Sequence, residues 1–586
     1  MAKADPLSPL SAYFKRYVMN GMGLFVEGYV LFSIGNLSSL FSSAWPSCWK
    51  THAVCNEQLI NSVTYLEIVG IIFGQILVGI EGDWIGRKFG LVQDAVVMLV
   101  GVILLTAVWG ATLQGWVAAY VISLFIYSVG VGGEYPMTST RALETGVNGP
   151  AGTRDDRMHR GRNVVLAFLM QGWGQVFNQG VLMLLLVIFN HGYAGYVPGT
   201  KVYSEKTAQL TFRVSFGLIA ILHAWLAYHR FYHIHDANAV VQANKKRLNT
   251  SGYDVASLKL VFGHYWHRLA ATAGGWFCAD FFFYGSKIFS GVFISIIKPG
   301  ATLMVTWEYN LLNCAVSLVG YYLAASLVDH KFYGRKTMQL VGFFFMFLFF
   351  LFCAIFFEDL QKPGGPVSAF IWMYMMSSFF TQFGPNCTTF LVAAEVYPSS
   401  IRSTAHGFSA ATGKLGALVP TIVYNYVKAG RTKFWIVPWF GLVAFIMTFL
   451  WLPDTTGLDL REQERYWRYV VAGNEDQYHG IAVHPRHLSW WEVHVLKRNR
   501  HYNPELDRQA KIEDLRVLYE SYMIAQNDES GESDDVEHHH ITPDVAAYFS
   551  SENIEQKKTA QQLKEEALRR QAPEVRMQSR LEQSGL

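Results

Sequence analysis

Long stretches without a charged residue limit what this chain can fold into. The stretch from Val164 to Phe189 runs for twenty-six positions without Asp, Glu, Lys or Arg, and the stretch from Leu340 to Phe357 runs for eighteen. About twenty apolar residues in an α-helix cross the ~30 Å hydrocarbon core of a bilayer. Several such stretches exclude a water-soluble globular fold and predict an all-α membrane protein.

The composition supports this conclusion. Only 16% of the 586 residues are charged and 51% are apolar, whereas an ordinary soluble domain has about 25% charged residues. The formal net charge of +3 is too small to indicate a nucleic-acid partner. No short apolar segment with a cleavage site opens the sequence, so we expect the first span to serve as its own uncleaved signal.

Twelve helical spans can be drawn, six in each half of the sequence. They cover 17–41, 60–80, 92–110, 115–136, 164–190, 212–229, 269–297, 305–328, 338–358, 366–393, 403–428 and 434–453. The first half is predicted to be 1–230 and the second half 269–453. The polar segment 231–268 between them is predicted to be a cytoplasmic loop. Residues 454–586 contain no span and are predicted to form a cytoplasmic, partly disordered tail.

The placement of Lys and Arg predicts the orientation in the bilayer. The connection 137–163 carries five arginines and the turn 81–91 is also basic, whereas 111–114 has no basic residue. Basic connections remain on the cytoplasmic side of a membrane. An even number of spans then leaves both termini in the cytoplasm, and we expect a multi-pass protein of the plasma membrane.

Short motifs recur in the two halves. The run Gly-Ile-Glu-Gly-Asp-Trp-Ile-Gly-Arg-Lys at 79–88 follows the second span, and Asp-His-Lys-Phe-Tyr-Gly-Arg-Lys at 329–336 follows the eighth. Glu-Tyr-Pro at 134–136 ends the fourth span, and Glu-Val-Tyr-Pro at 395–398 follows the tenth. Transporters built from duplicated halves bind their substrate between the halves, near the bilayer midplane. The repeats therefore predict two pseudo-symmetric six-helix halves around a central site.

The first repeated motif resembles the signature loop of the major facilitator superfamily. The resemblance implies a charge lock in each half that holds the cytoplasmic face closed. The predicted gating residues are Asp83, Arg87, Asp329, Arg335, Glu395 and Arg402. Because two extra residues separate the Asp from the Gly in the second copy, we expect the second lock to be looser.

Finer motifs resemble the phosphate:proton symporters of fungi and plants. They are Gly130–Pro136, Phe383–Asn386, Glu395–Pro398 and Arg402–Lys414. The resemblance spans residues 15 to about 457 and implies a carrier of inorganic phosphate and protons, not an enzyme. The binding site that it implies consists of Tyr135, Gln171, Trp276, Asp280, Tyr284, Asn386 and Lys414.

The residues agree with that assignment. Trp276, Asp280 and Tyr284 are spaced four apart, so they share one face of a helix. A buried anion needs a compensating cation and a full set of hydrogen bonds, and Lys414 is the basic residue deep in the eleventh span. The alternative for Lys414 is that it reaches the membrane surface. It lies twelve residues from Arg402, about 18 Å along a helix, which favours the anion-binding role.

Three carboxylates within spans are predicted to carry protons: Glu27, Glu134 and Asp280. Ionisable groups inside a membrane are costly and mark solute or proton pathways. We expect Asp280 to pair with Lys414 when the site is empty and to take up a proton beside the bound anion. The alternative for Glu134 is a structural pairing with the arginines of the 137–163 connection.

Two departures from the family pattern leave other substrates open. The first span has Glu27-Gly-Tyr-Val30 where the family carries two acids, and Lys287 adds a charge one turn beyond Tyr284. An organic solute such as a glycerophosphodiester or a sugar is one alternative. A phosphate-sensing receptor that transports little is another, since a long tail follows the last span.

The remaining polar features concern the cysteines and the tail. Cys48 and Cys55 share a polar loop and form either a disulfide, if the loop faces outward, or two free thiols. Ser530 and Ser533 lie in an acidic stretch of disordered composition and are candidate sites for a regulatory kinase. Residues 553–571 suggest a solvated helix. No cofactor, structural metal or catalytic residue is predicted.

Overall fold

The structure is a computed structural model of the chain. It describes residues 18–148, 159–190, 203–234, 253–288, 294, 301–362, 367–427 and 429–527. Within these residues, nine helices are long and apolar enough to cross a membrane, by length and composition. Multi-pass insertion in a membrane follows from them.

The first half of the chain consists of long helices. They are Met19–Leu31 and Ser33–Ala44, which follow each other with a break at Phe32, then Glu57–Trp84, Arg87–Ala107, Leu113–Asn148, Arg160–Phe189 and Glu205–His233. The helix that begins at Arg160 packs on Met19–Leu31 and also on a helix of the second half, Leu303–Leu327.

The second half begins after a short helix, Val255–His264. Its long helices are Gly275–Ile288, Leu303–Leu327, Gly334–Ile355, Val367–Thr381, Cys387–Glu395, Arg402–Tyr426 and Gly430–Trp451. Two of these are preceded by short π-helical segments, Ala270–Gly274 and Gln382–Asn386. The second segment contains Pro385 and a non-helical Gly384, and it places Asn386 at the start of the following helix.

One close contact joins the two halves near the middle of the bundle. Helix Glu57–Trp84 packs along helix Arg402–Tyr426. A Cβ added to Gly407 would lie 2.3 Å from the carbonyl oxygen of Gln75, so only glycine permits this approach. Tight packing of this helix pair brings Lys414 next to the first half.

The described helices follow the predicted spans in order, and the largest difference in a boundary is at the end of the fourth span. The fourth span was expected to end at Pro136, whereas the helix continues to Asn148 with Pro136 inside it. A proline lacks an N–H donor and usually bends a helix, yet long helices in membranes tolerate it. The consequence is that Glu144, expected in a loop, stands on a rigid helix.

Part of the predicted tail folds onto the helix bundle. Helix Leu460–Val471 contributes Tyr466, Trp467 and Val470 to an apolar cluster with Tyr265. Helices Trp490–His494 and Pro504–Asn527 follow. The acidic stretch with Ser530 and Ser533, and the helix predicted at 553–571, lie outside the described residues.

The two loop cysteines are paired. Cys48 and Cys55 form a disulfide, so the disulfide alternative is confirmed and the free-thiol alternative is wrong. Helix Glu57–Trp84 begins directly after this loop and ends at the first signature motif. We call the bundle end that holds this loop the disulfide end, and the opposite end the lock end.

Candidate functional site

The centre of the site is an ion pair buried between helices. The Nζ atom of Lys414 lies 2.7 Å from Oδ2 of Asp280. Both residues are only 1% exposed. An ammonium and a carboxylate removed from water stabilise each other only when they remain together. Lys414 therefore does not extend to the membrane surface.

Aromatic rings enclose the ammonium. Lys414 Nζ lies 4.4 Å from the ring centroid of Tyr284 and 4.9 Å from that of Tyr135. Cation–π contacts of this kind stabilise a positive charge away from water. Trp276 packs against Tyr135, and a Cβ on Gly413 would lie 2.6 Å from the Trp276 ring. The glycine beside Lys414 thus lets the indole approach the cation.

A chain of hydrogen bonds extends from this pocket across the two halves. Tyr135 donates to Glu27 Oε1 at 2.7 Å, and Gln171 Nε2 donates to the same oxygen at 3.0 Å. Tyr321 donates to Gln171 Oε1 at 3.2 Å. Asn386 Nδ2 donates to the Tyr321 hydroxyl at 3.1 Å. Five side chains from both halves therefore share one polar network.

The structure brings all seven predicted binding residues to this region. Tyr135 and Gln171 come from the first half, whereas Trp276, Asp280, Tyr284, Asn386 and Lys414 come from the second half. Glu27 joins them through Tyr135 and Gln171. In the described part of the chain, this arrangement offers one cation, neutral donors and two acids, which are the groups needed to hold an oxyanion and exchange protons with it.

Glu134 has a separate environment. Its two carboxylate oxygens accept hydrogen bonds from the Arg230 guanidinium, each at 2.7 Å, and Thr138 donates a further bond. The alternative for Glu134 was a pairing with the arginines of the 137–163 connection. For the described part of that connection this alternative is wrong, because Arg230, in the last turn of helix Glu205–His233, binds the carboxylate instead. The proton role of Glu134 stays a prediction.

The first lock crosses between the halves. Arg87 lies 2.6 Å from Asp83 and 3.1 Å from Glu144. Glu144 also lies 3.2 Å from Arg402 of the second half. In addition, Asp83 accepts the backbone N–H of Thr404 at 2.7 Å, at the N-terminus of the Lys414 helix, Arg402–Tyr426. A carboxylate at a helix N-terminus is favourable because it satisfies free N–H groups.

The second lock repeats this arrangement with the halves exchanged. Arg335 lies 2.7 Å from Asp329 and 2.8 Å from Glu395. Glu395 also lies 2.9 Å from Arg160 of the first half. Asp329 accepts the backbone N–H of Arg162 at 2.7 Å. The second lock is therefore not looser than the first. The two extra residues after Asp329 lie in a turn, so Asp329 and Arg335 remain within ion-pair distance of each other.

These observations describe a two-fold helical bundle with a buried polar centre. A family model described as sugar (and other) transporter matches residues 17–232 and 260–467. The chain belongs to this transporter family. The prediction that it is a transporter and not an enzyme is confirmed.

Curated relatives of this transporter cover most of its length. It is 26% identical over 521 residues to inorganic phosphate transporter 1-2 of Oryza sativa subsp. japonica, with 79% of this chain and 96% of that protein covered. It is 27% identical over 489 residues to probable inorganic phosphate transporter 1-6 of Arabidopsis thaliana, with 76% and 92% covered.

Solved structures show the same fold. The proton:xylose symporter XylE bound to 6-bromo-6-deoxy-D-glucose aligns with a TM-score of 0.56 at 18% identity, covering 78% of this chain and 99% of that chain. XylE from E. coli in a partially occluded inward open conformation aligns with a TM-score of 0.53 at 17% identity, covering 75% and 99%. The transporter therefore has the major facilitator fold.

Four residues of the transporter's site and locks were missed or left without a role by sequence reasoning. They are Tyr321, Glu144, Arg160 and Arg230. Tyr321 lies in an apolar run where an aromatic residue is usually packing, so no signal marks it. Glu144 could have been found, because its Arg-x-x-Glu spacing from Arg141 is typical of a helix that continues past Pro136.

Proposed function

We propose that this transporter imports inorganic phosphate together with protons by alternating access, with Lys414 as the anion anchor. The observation that carries the proposal is the Lys414–Asp280 pair, enclosed by Tyr135 and Tyr284. Among the described side chains of the site, one ammonium surrounded by neutral donors suits one small oxyanion. The curated relatives named as inorganic phosphate transporters support phosphate as that anion.

Coupling follows from competition for one cation. In the empty site Lys414 neutralises Asp280. When phosphate takes over the ammonium, the buried carboxylate of Asp280 loses its partner and becomes more stable with a proton. Phosphate thus binds better to the protonated site, and the proton binds better when phosphate is present, as linkage requires.

Glu27 and Glu134 form the inner part of the proposed proton route. The Oε2 atom of Glu27 has no hydrogen-bond partner within the described residues, which leaves an oxygen free to carry a proton. Glu134 lies closer to the lock end, where Arg230 holds it. Protons released from Asp280 would leave through these two acids.

The locks supply the gate on the inner side. We propose twelve spans in two six-helix halves, 1–230 and 269–453, with both termini in the cytoplasm. The loop 231–268 and the tail 454–586 then lie inside, the lock end faces the cytoplasm, and the disulfide end faces outward. The plasma membrane is the proposed location, and a kinase acting on Ser530 or Ser533 remains a prediction.

Uptake of labelled phosphate into proteoliposomes tests the proposal. Phosphate accumulation that rises with an inward-directed proton gradient is the expected result. Stronger inhibition by a glycerophosphodiester or a sugar than by unlabelled phosphate would identify an organic solute as the substrate. Phosphate binding without uptake would identify a receptor.

A further inference from the structure

A second polar cavity lies between the halves, on the disulfide side of the central site. Phe32, Asn36, Gln175, Gln179, Asn310, Asn313 and Cys314 line it. Its polar groups are five carboxamides, and the lining residues that the structure describes include no Lys, Arg, Asp or Glu; the side chain of Lys287 lies outside the described part of the chain. The described lining of this cavity, which we call the amide cavity, therefore offers hydrogen bonds without a formal charge.

Carboxamides connect the two halves across the amide cavity. Asn310 of the second half donates to Asn36 Oδ1 at 3.1 Å. Asn36 in turn donates to Gln179 Oε1 at 2.7 Å. The three side chains are held in place by these bonds, so their remaining polar atoms have defined positions.

Two of the remaining donors and one acceptor have no partner within the described residues. They are the Nε2 atoms of Gln175 and Gln179 and the Oδ1 atom of Asn313. All three side chains are at most 5% exposed. A buried polar group without a hydrogen bond is destabilising. Such a set of groups is suited to a ligand that supplies both acceptors and donors.

The amide cavity lies on the way to the central site. Gln179 is eight residues from Gln171 on one continuous helix, about 12 Å toward the disulfide end. Phe32 lines the cavity and also contacts the ring of Tyr284, with centroids 6.0 Å apart. Helix Met19–Leu31 ends just before Phe32. Phe32, at a helix break, thus stands between the cavity and the lysine pocket.

We propose that the amide cavity is an entrance binding station for phosphate in its dihydrogen form, upstream of Lys414. This inference rests on the proposed function. Dihydrogen phosphate has P–OH donors and oxygen acceptors, which match a cavity of carboxamides. Transfer of a doubly charged ion from water costs about four times as much as transfer of a singly charged one, because the Born energy scales with the square of the charge. The described lining holds carboxamides and no cation, and such a lining favours the singly charged form.

Kinetics of phosphate uptake test the station. In Asn310→Leu and in Gln179→Leu we expect KM to rise about tenfold, the loss of one net hydrogen bond, while the maximal rate stays within about twofold of the unaltered protein. The control is Phe177→Leu, on the same helix as Gln179 but with a side chain that is 52% exposed. An unchanged KM, or a lower maximal rate at unchanged KM, would overturn the station.

A binding measurement isolates the station from the lysine pocket. With Lys414→Met/Asp280→Leu in lipid nanodiscs, we expect residual weak binding of labelled phosphate, which disappears when Asn310→Leu is added. Sulfate, which has two charges and no hydroxyl, is expected to compete poorly for this residual binding. Competition by sulfate equal to that by unlabelled phosphate, or residual binding that is unchanged by Asn310→Leu, would overturn the inference. If the unaltered protein takes up no phosphate, the proposed function fails instead.

Discussion

Asp83 of the first half accepts two hydrogen bonds from Thr404 of the second half, one from the backbone N–H and one from the hydroxyl, both at 2.7 Å. This contact joins the signature motif to the first turn of the helix that carries Lys414. The lock end is therefore tied to the helix that carries the proposed anion anchor, so we expect movement at one to require movement at the other.

Loss of Asp83 is expected to open the lock end. Asp83→Ala removes the bonds to Thr404 and one partner of Arg87, and each bond to a charged group contributes about 1.5–3 kcal/mol. Opening should become at least about tenfold more frequent. Maleimide labelling of Thr140→Cys, which is buried at the lock end, measures this in a background where Cys278, Cys314, Cys353 and Cys387 are replaced by Ala.

Glu81→Gln is the matched control for this variant. Glu81 lies on the same helix and accepts a bond from Gln93 of its own half. Its substitution should leave labelling at Thr140→Cys unchanged. Equal labelling rates at Thr140→Cys with and without Asp83→Ala would contradict the proposal that the first lock is a gate.

The buried pair of Lys414 and Asp280 predicts strong coupling in stability. Lys414→Met leaves a buried carboxylate without its cation, which destabilises by about 3–5 kcal/mol, whereas removal of both charges is often nearly neutral. The double variant Lys414→Met/Asp280→Leu should therefore unfold at a higher temperature than Lys414→Met alone. Additive losses in the thermal unfolding of the purified protein would show that the two groups do not interact.

The sequence predicts the helices and the central site better than the connections between helices. Lys414 and Asp280 are 134 positions apart, so helical periodicity does not predict that they are in contact. The family resemblance places both residues in one binding site. The continuation of the fourth helix to Asn148 was missed because Pro136 normally ends a helix. The pairing of Glu134 with Arg230 was missed because helical periodicity predicts which residues share one face of a helix. It does not predict which other helix packs against that face.

The tail shows a different limit of sequence reasoning. Residues 460–471 are polar on average, but Tyr466, Trp467 and Val470 share one face and pack against Tyr265. An amphipathic helix rich in aromatic residues favours docking on a surface. The composition of this segment alone indicated a water-soluble tail, because its apolar face has too few residues to raise the mean hydropathy of the segment.

Glu492 is expected to hold the tail on the bundle through buried charge contacts. Its carboxylate lies 2.7 Å from Arg268, before the seventh span, 3.1 Å from His267 and 2.8 Å from Arg498. Burial by itself raises the pKa of the Glu492 carboxyl, but Arg268, together with His267 and Arg498, outweighs burial and holds this pKa well below its usual value of 4.5. A lowered pKa contributes stability above about pH 4.5 that is lost as the pH falls further.

Limited proteolysis of the tail checks this prediction. Protection of residues 475–503 should be constant from about pH 7 to pH 8 and should decrease as the pH falls below about 6.5, because burial lowers the pKa of His267 and unfolding lets this imidazole bind a proton. In Glu492→Gln it should fall about a hundredfold, since a buried ion pair is broken. Glu475→Gln, where the side chain is 45% exposed, serves as the control and should remain protected. Equal protection in both variants would contradict the role of Glu492.

The disulfide predicts which end of the transporter faces outward. Disulfides persist in oxidising compartments, so the loop with Cys48 and Cys55 should lie outside the cell. An impermeant maleimide added to intact cells should label this loop only after reduction, in a background where Cys278, Cys314, Cys353 and Cys387 are replaced by Ala. Labelling that requires permeabilised cells would reverse the proposed orientation.

The variant Asp280→Asn tests the central claim most directly. An amide still packs beside Lys414 but does not carry a proton, so coupling should be lost while the anion site remains. In proteoliposomes, Asp280→Asn should exchange labelled phosphate for unlabelled phosphate at a rate within about tenfold of the unaltered protein and should fail to accumulate phosphate under an inward-directed proton gradient. Accumulation equal to that of the unaltered protein would contradict the account.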